Sequence, residues 1–249
     1  MTDHILVSRE GAVQTIRFNR PDKMNAITRD MYAKIDQALI AGEADDAIRC
    51  HVILGTSGAF TSGNDLKDFM AFAASGEMGM EVFDFLNTMA GLNKPFISGV
   101  DGLAIGIGTT INMHCDLTFA TPNSVFKTPF VDLGLVPEAG STLLAPVIMG
   151  HQRAYALLAM GEALSAQQAV DAGLIYKVVS EDVLEEEVAK TAAKLASRAP
   201  NAMAHAKRLM KPDLDTVKAR IVEEAKLFEA QLTSDEAREA FMAFMTRKN

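Results

Sequence analysis

One carboxylate stands apart in this chain. In GLVPEAGST, Gly134 to Thr142, Glu138 follows a proline and precedes Ala-Gly, and it is the only acid between Asp132 and Glu162. A carboxylate isolated among apolar residues can take and return a proton once burial raises its pKa toward neutrality. Near a helix start, the same residue also reads as a partner of the helix dipole. Two other stretches have backbone suited to holding an anion. FTSGNDLKDF, Phe60 to Phe69, runs through Gly63 into a helix expected from about Asp65. The first N–H groups of a helix have no internal partners and can receive a negative group. Ser62 and Asp65 read equally well there as ordinary caps. DGLAIGIGTTINMHCD, Asp101 to Asp116, carries Gly102, Gly106 and Gly108, which let the backbone turn tightly and approach a ligand. Position 111 is Ile, so the dinucleotide pattern G-x-G-x-x-G is not completed. Two strand-to-helix loops of this kind, each with a free N–H, would together form an oxyanion hole.

These loops need strands and helices to hold them. ILVSRE and AVQTIRFN read as two strands about Gly11, the second with the alternation of a half-buried strand. RPDKMNA is loop, after which Thr28 caps a helix with the stripe Met31, Ile35, Ala38 and Leu39. CHVILGT is a buried strand, and helices are expected over Asp65 to Ala74 and Gly79 to Gly91. PFISGVDG, DLTFAT and SVFKTP are further strands. Beyond Gly140 the helical period dominates. Ser165 and Gln168 form a capping box, and the helix from about Asp182 to Arg198 runs from acidic to basic, as its dipole favours. The tail carries two more amphipathic stripes: Leu214, Val217, Ile221, Ala225 and Phe228, then Ala237, Ala240, Phe241, Phe244 and Met245.

The bulk properties exclude several classes. The chain has 249 residues, 49% apolar and 22% charged, with a formal net charge of −8. That balance fits a globular domain and argues against general nucleic-acid binding. Two cysteines, Cys50 and Cys115, make no disulfide framework and fit a reducing, cytoplasmic setting. The stretch from Pro95 to Cys115 has Asp101 as its only charge, yet its glycines break it into strand, turn and buried helix, so no membrane association is expected. The five histidines are scattered, and the consecutive His114, Cys115 and Asp116 rarely converge on one ion, so no metal is expected.

In order, NRPDKMNA, FTSGNDLKDF, VDGLAIGIG with CDL, FKTPFVDLGLVPEAGSTLLAPVIMG and GEALSAQQAVDAGLIYKVV resemble the crotonase (enoyl-CoA hydratase/isomerase) superfamily across nearly the whole chain. The resemblance implies an α/β fold, a crotonase-like spiral of ββα units over residues 1–195, with a C-terminal helical trimerisation region over 196–249. It implies an acyl-CoA thioester substrate, no separate cofactor, and a homotrimer or dimer of trimers. It places the two oxyanion-hole N–H groups on Asn64 and Ile107, each such donor contributing roughly 3 kcal/mol to the transition state. It places coenzyme A contacts at Lys23, Ser62, Asp65 and Leu66. The Phe69 to Met89 stretch matches an acyl pocket, and Phe69, Phe83, Thr110 and Phe130 are expected to line it; by the residues alone, a plain core stripe serves as well.

Hydratases of this family use two glutamates, and those positions here are Thr110 and Phe130. Adding water needs one group to activate it and another to deliver a proton, and neither residue does so. Glu138 lies where peroxisomal-type Δ3,Δ2-enoyl-CoA isomerases place their glutamate. The expected reaction is therefore a double-bond shift from a 3-enoyl-CoA to a 2-enoyl-CoA, with Glu138 moving the proton. Two alternatives stay open: a hydratase, lyase or hydrolase using Glu138 or Asp132, and a non-catalytic acyl-CoA binder. Asp132 itself reads more simply as a turn residue, and Asp68 and Glu81 as surface acids of helices that cover the pocket.

Overall fold

A computed structural model describes residues 3–75 and 79–247. The chain builds two sheets by turns. Six strands form the larger one: β1 (Ile5–Glu10), β2 (Val13–Phe18), β3 (Cys50–Leu54), β5 (Phe96–Val100), β7 (Leu117–Ala120) and β10 (Lys177–Val178), in that spatial order. β1 and β2 form an antiparallel hairpin, and the other neighbours run parallel. The smaller sheet holds β4 (Ala59–Thr61), β6 (Leu103–Ile105), β8 (Val125–Lys127) and the antiparallel β9 (Leu164–Ser165). From β3 to β8 the strands alternate between the sheets, so each passage adds one strand to each sheet and, in most turns, a helix. That is the expected spiral of ββα units. β3 and β5 are buried at every position, as expected for strands covered on both faces.

The helices follow the sequence pattern closely. Thr28 caps α1 (Arg29–Ala44) by accepting from the Met31 N–H, and Met31, Ile35 and Leu39 form its buried face. α2 (Leu66–Ser75) and α3 (Met80–Ala90) fall where expected. All eight residues of α4 (Ile107–His114) are buried, as its lack of charge requires. α4 sits against β4, and a Cβ on Gly108 would stand 2.6 Å from Thr61 Cγ2, so only glycine permits that approach. α5 (Ser141–Met149), α6 (His151–Leu158) and α7 (Ala166–Asp171) follow, the last with its capping box intact. α8 (Leu184–Ala196) lies on the larger sheet, where Leu184, Val188 and Ala192 join a second core cluster with Val52 and Ile97. α9 (Pro200–Met210), α10 (Leu214–Leu232) and α11 (Asp235–Arg247) form the tail. α10 packs on α3 and α5, burying Val217, Ile221 and Phe228, and Ala237 of α11 is wholly buried. Among the described residues, no helix is long and apolar enough to cross a membrane.

The short strands β4 and β6 depart from the sequence reading, which has a glycine loop at the first and a turn at the second. Three-residue strands carry too little periodicity to be seen; pairing Ala59 with Leu103 and Thr61 with Ala104 defines them. The RPDKMNA segment is also more structured than a plain loop. Asn25 is fully buried with φ +55°, and its amide donates to Thr56 Oγ1 (2.8 Å) and to the carbonyls of Ala59 (2.8 Å) and Phe60 (3.2 Å). Its carbonyl accepts from the Arg20 N–H at 2.8 Å. Asn25 thus ties the loop to β4, and with it the start of the glycine loop at the site. Removing a buried, fully satisfied amide strands its partners. Asn25→Ala should destabilise the fold by about 2–4 kcal/mol in denaturant unfolding, far beyond an exposed substitution.

Candidate active site

The parallel pair β4 and β6 delivers its two loops side by side. Asn64 lies three residues beyond β4, and Ile107 two residues beyond β6. A Cβ on Gly63 would stand 2.9 Å from the Ile105 carbonyl, which measures how closely the loops approach. Gly106, with φ +58° and ψ −119°, turns the chain into α4 in a conformation that L side chains rarely adopt. Ile107 is the first residue of α4, so its N–H has no carbonyl one turn earlier within the helix. Among the described residues, neither the Asn64 nor the Ile107 N–H has a backbone partner outside regular elements.

Next to these loops lies a cleft of about 700 Å³, part of it open to solvent. Its walls are mostly apolar: Ile27, Phe72, Val82, Phe83, Leu86, Ile221, Ala225 and Phe228. Asn64, Tyr32 and Glu138 face it among them. Glu138 is 7% exposed. The Thr110 hydroxyl donates to its Oε1 at 3.1 Å. Burial pushes the Glu138 carboxyl up to about 8, against the pull of the Thr110 hydrogen bond and aided by the charge of Glu224. The Tyr32 hydroxyl donates to Asn64 Oδ1. Burial holds Tyr32 well above the ordinary phenol range, with Glu138 adding to it, so Tyr32 stays a neutral donor. Ala139, directly after Glu138, takes φ +63°. A left-handed alanine costs about 1–2 kcal/mol, and it persists because neighbours fix it. His114 Nε2 lies 2.7 Å from the Ala139 carbonyl. The carbonyl only accepts, so that nitrogen carries the hydrogen. Burial lowers His114 to about 4, and the ring is neutral near pH 7.

The other expected positions divide. Phe83 lines the cleft with Phe72. The Phe69 side chain lies outside the described residues, as does Met78. Met70 and Met80 are exposed, whereas Phe85 and Met89 are core. Thr110 and Phe130 do not line the cleft: Thr110 is wholly buried against Glu138, and Phe130 packs in the core. Ile107 is also wholly buried and does not line the cleft, whereas Asn64 does. Lys23 is exposed, and its carbonyl accepts from Ser62 Oγ at 3.4 Å. Asp65 caps α2 through the Lys67 N–H (2.9 Å) and pairs with Arg20 at 2.6 Å. Burial raises the Asp65 carboxyl, but Arg20 and Lys67 overcome it and hold it below its ordinary value. Leu66 begins α2 and is half-buried. Asp132, the alternative base, is on the surface beside Lys127 and away from the cleft. Asp68 and Glu81 both bind Arg29 at the cleft rim.

Tyr32 and Glu224 were not legible as site residues. Tyr32 sits in the apolar stripe of α1, where a core role explains it. A larger cleft, about 1850 Å³ of space around the C-terminal end of α4, contains neither Glu138 nor Asn64. Its Asp116, Lys207 and Lys211 are paired with one another. Among the described residues, no group of three or more His, Cys, Asp or Glu could hold a metal ion.

A family model described as enoyl-CoA hydratase/isomerase matches residues 8–249. Enoyl-CoA delta isomerase 2 of Rattus norvegicus is 38% identical over 98% of this chain, and the chain spans 64% of that protein's length. The 1,2-epoxyphenylacetyl-CoA isomerase of Escherichia coli is 35% identical over 80% of this chain and 78% of its own length. The solved structure of Pseudomonas aeruginosa OdaA superposes with a TM-score of 0.93 at 40% identity, covering 98% of this chain and 99% of that one.

The fold gives a direct test of the carboxyl's environment. Glu138 holds its proton up to about 8 when folded but only to about 4.5 when unfolded. Between those values the folded state binds more protons, so its stability falls as pH rises. Glu138→Gln has no such loss. The unfolding free energy of the wild type relative to Glu138→Gln should fall between pH 5 and pH 8, by up to about 1.4 kcal/mol per unit.

Proposed function

The chain belongs to the enoyl-CoA hydratase/isomerase family, and on that premise we propose that it moves the double bond of a 3-enoyl-CoA to the 2-position with Glu138 as the single proton carrier. One observation carries this reading: among the described residues lining the apolar cleft, Glu138 is the carboxylate that burial raises, and Asp65 and Asp68 lie toward its rim in hydrogen bonds of their own. Asp65 is held by the Arg20 guanidinium, and Asp68 accepts the Arg29 N–H. The similarity to relatives named enoyl-CoA delta isomerases supports the same reading.

The chemistry balances with one group. The Glu138 carboxylate takes a proton from C2, and the C–H electrons move into the thioester as a dienolate with negative charge on its oxygen. The Asn64 and Ile107 N–H groups are assigned to that oxygen. The protonated Glu138 then gives its hydrogen to C4, leaving the double bond between C2 and C3. The cleft walls exclude water, which keeps the dienolate from being quenched elsewhere and strengthens each hydrogen bond. Lys23, exposed beside Ser62, is assigned to a phosphate of coenzyme A, with Asp65 and Leu66 framing the adenine side.

Incubation with a 3-enoyl-CoA and, separately, a 2-enoyl-CoA tests the reaction. A shifted double bond is expected; added water or free thiol would instead establish a hydratase or hydrolase, and binding without product a non-catalytic binder. Because the base must be ionised, kcat/KM should rise about tenfold per pH unit up to about pH 8 and then level. Glu138→Gln should lower kcat by about 10²- to 10⁴-fold. Exposed Leu209 and Met210 at the end of α9 support the expected self-association of the tail. Sedimentation should show a trimer or hexamer, and monomer alone at micromolar concentration would contradict it.

A further inference from the structure

Glu224 lies outside every role assigned above. It sits on α10, on the same face as the cleft-lining Ile221, Ala225 and Phe228, yet it is 4% exposed and turned toward the chain that follows Glu138. Its carboxylate accepts from the Gly140 N–H at 2.5 Å, the Thr142 N–H at 2.9 Å and the Thr142 hydroxyl at 2.6 Å. It therefore caps α5 from another element, and Gly140 and Thr142 have no acidic side chain of their own in that turn. The peptide unit joining Ala139 to Gly140 is gripped from both sides. Its carbonyl meets His114 of α4, and its N–H meets Glu224 of α10. That unit follows the left-handed Ala139, whose strained backbone sets the direction in which Glu138 leaves the chain.

We propose that Glu224 is a positioning residue for the reaction, an ionised carboxylate of the C-terminal helix that clamps the Ala139–Gly140 peptide and through it fixes both the aim and the proton affinity of Glu138. The inference rests on the isomerase reading for its kinetic arm, but not for its titration arm. Two buried carboxylates cannot both ionise freely in one apolar region. Their partners separate them. Glu224 has three donors and the cation of Arg220, which itself donates to Thr142 Oγ1 at 3.0 Å. Glu138 has one hydroxyl donor. The proton therefore goes to Glu138 and the charge stays on Glu224, although burial raises both groups. Among the described residues, Tyr32 from α1 and His114 from α4 are neutral near pH 7. Arg29, Asp65 and Asp68 line the cleft beside Glu138, Arg29 paired with Glu81, Asp65 with Arg20, and Asp68 accepting from the Arg29 N–H.

The clamp makes the tail part of the active site of its own chain. α10 contributes apolar wall and positioning charge alike, so the reaction depends on a segment that contains no reacting atom. The test is the pH–rate profile of Glu224→Gln and Glu224→Asp, with thermal unfolding as the check on folding. In Glu224→Gln, kcat should fall about 10- to 100-fold with KM little changed, and the acid limb of the profile should move to lower pH by about one unit. Glu224→Asp keeps the charge and should leave the limb in place while lowering kcat. A limb that stays put in Glu224→Gln overturns the proposal, whether or not kcat falls. Should Glu224→Gln not fold, titration of the two carboxyls decides. In the wild type, the ¹³C titration of the Glu224 carboxyl should lie at lower pH than that of Glu138, and Glu138→Gln should leave it in place, because Glu138 is still neutral while Glu224 ionises. A Glu224 carboxyl that keeps its proton as long as Glu138 does, or longer, overturns the proposal. This arm needs no turnover, so a protein with that order of ionisation and no isomerase activity would defeat the proposed reaction alone.

Discussion

The desolvation of one carboxyl group is the constraint around which the rest of the molecule is arranged. An ionised carboxylate in an apolar region is costly, and the usual remedy is a cation or several N–H donors. Glu138 receives a single hydroxyl, from Thr110. Each neighbouring element keeps it that way. α1 brings the neutral Tyr32, α3 and α10 bring aliphatic and aromatic wall, and α4 brings a histidine kept neutral by burial. The fold thereby stores proton affinity in one side chain, at a cost in stability that grows from about pH 4.5 and is complete by about pH 8.

Backbone strain holds that side chain in place. Ala139 adopts a conformation that alanine normally avoids, and Gly140 follows in the left-handed region as well. Such a turn would relax if its peptide groups were free. They are not free, because a histidine from the buried helix and a glutamate from the tail hold opposite edges of the same peptide plane. The hydrogen bonds are local, but the elements that supply them are far apart in sequence. Residues 114 and 224 meet only once the spiral has closed and the tail has returned over it.

Much of this was readable from the chain. The alternation in β2, the Thr28 cap and the stripes of α1 and α10 are period and capping signals, and each appears where expected. The loops at Asn64 and Ile107 were marked by glycines whose spacing has a mechanical reason. Other features were not readable, for physical causes. β4 and β6 are too short to show a period, and their pairing is non-local. Phe130 packs in the core and Thr110 meets Glu138, because position along the chain does not say which distant element a side chain will face. Ile107 is covered in the folded chain, which spacing cannot reveal. Glu224 did leave a trace, an acid on the same face as Ile221 and Phe228, but such a trace cannot say whether the acid is paired or merely at the edge of the face.

Glu138 is protonated near neutral pH because the fold withholds water and charge from it. A ¹³C titration of the Glu138 carboxyl in the ligand-free full chain, assigned by the signal missing from Glu138→Gln, reads this directly. The expected midpoint is near 8. A midpoint in the ordinary carboxylate range, near 4.5, would show a solvated group and contradict it.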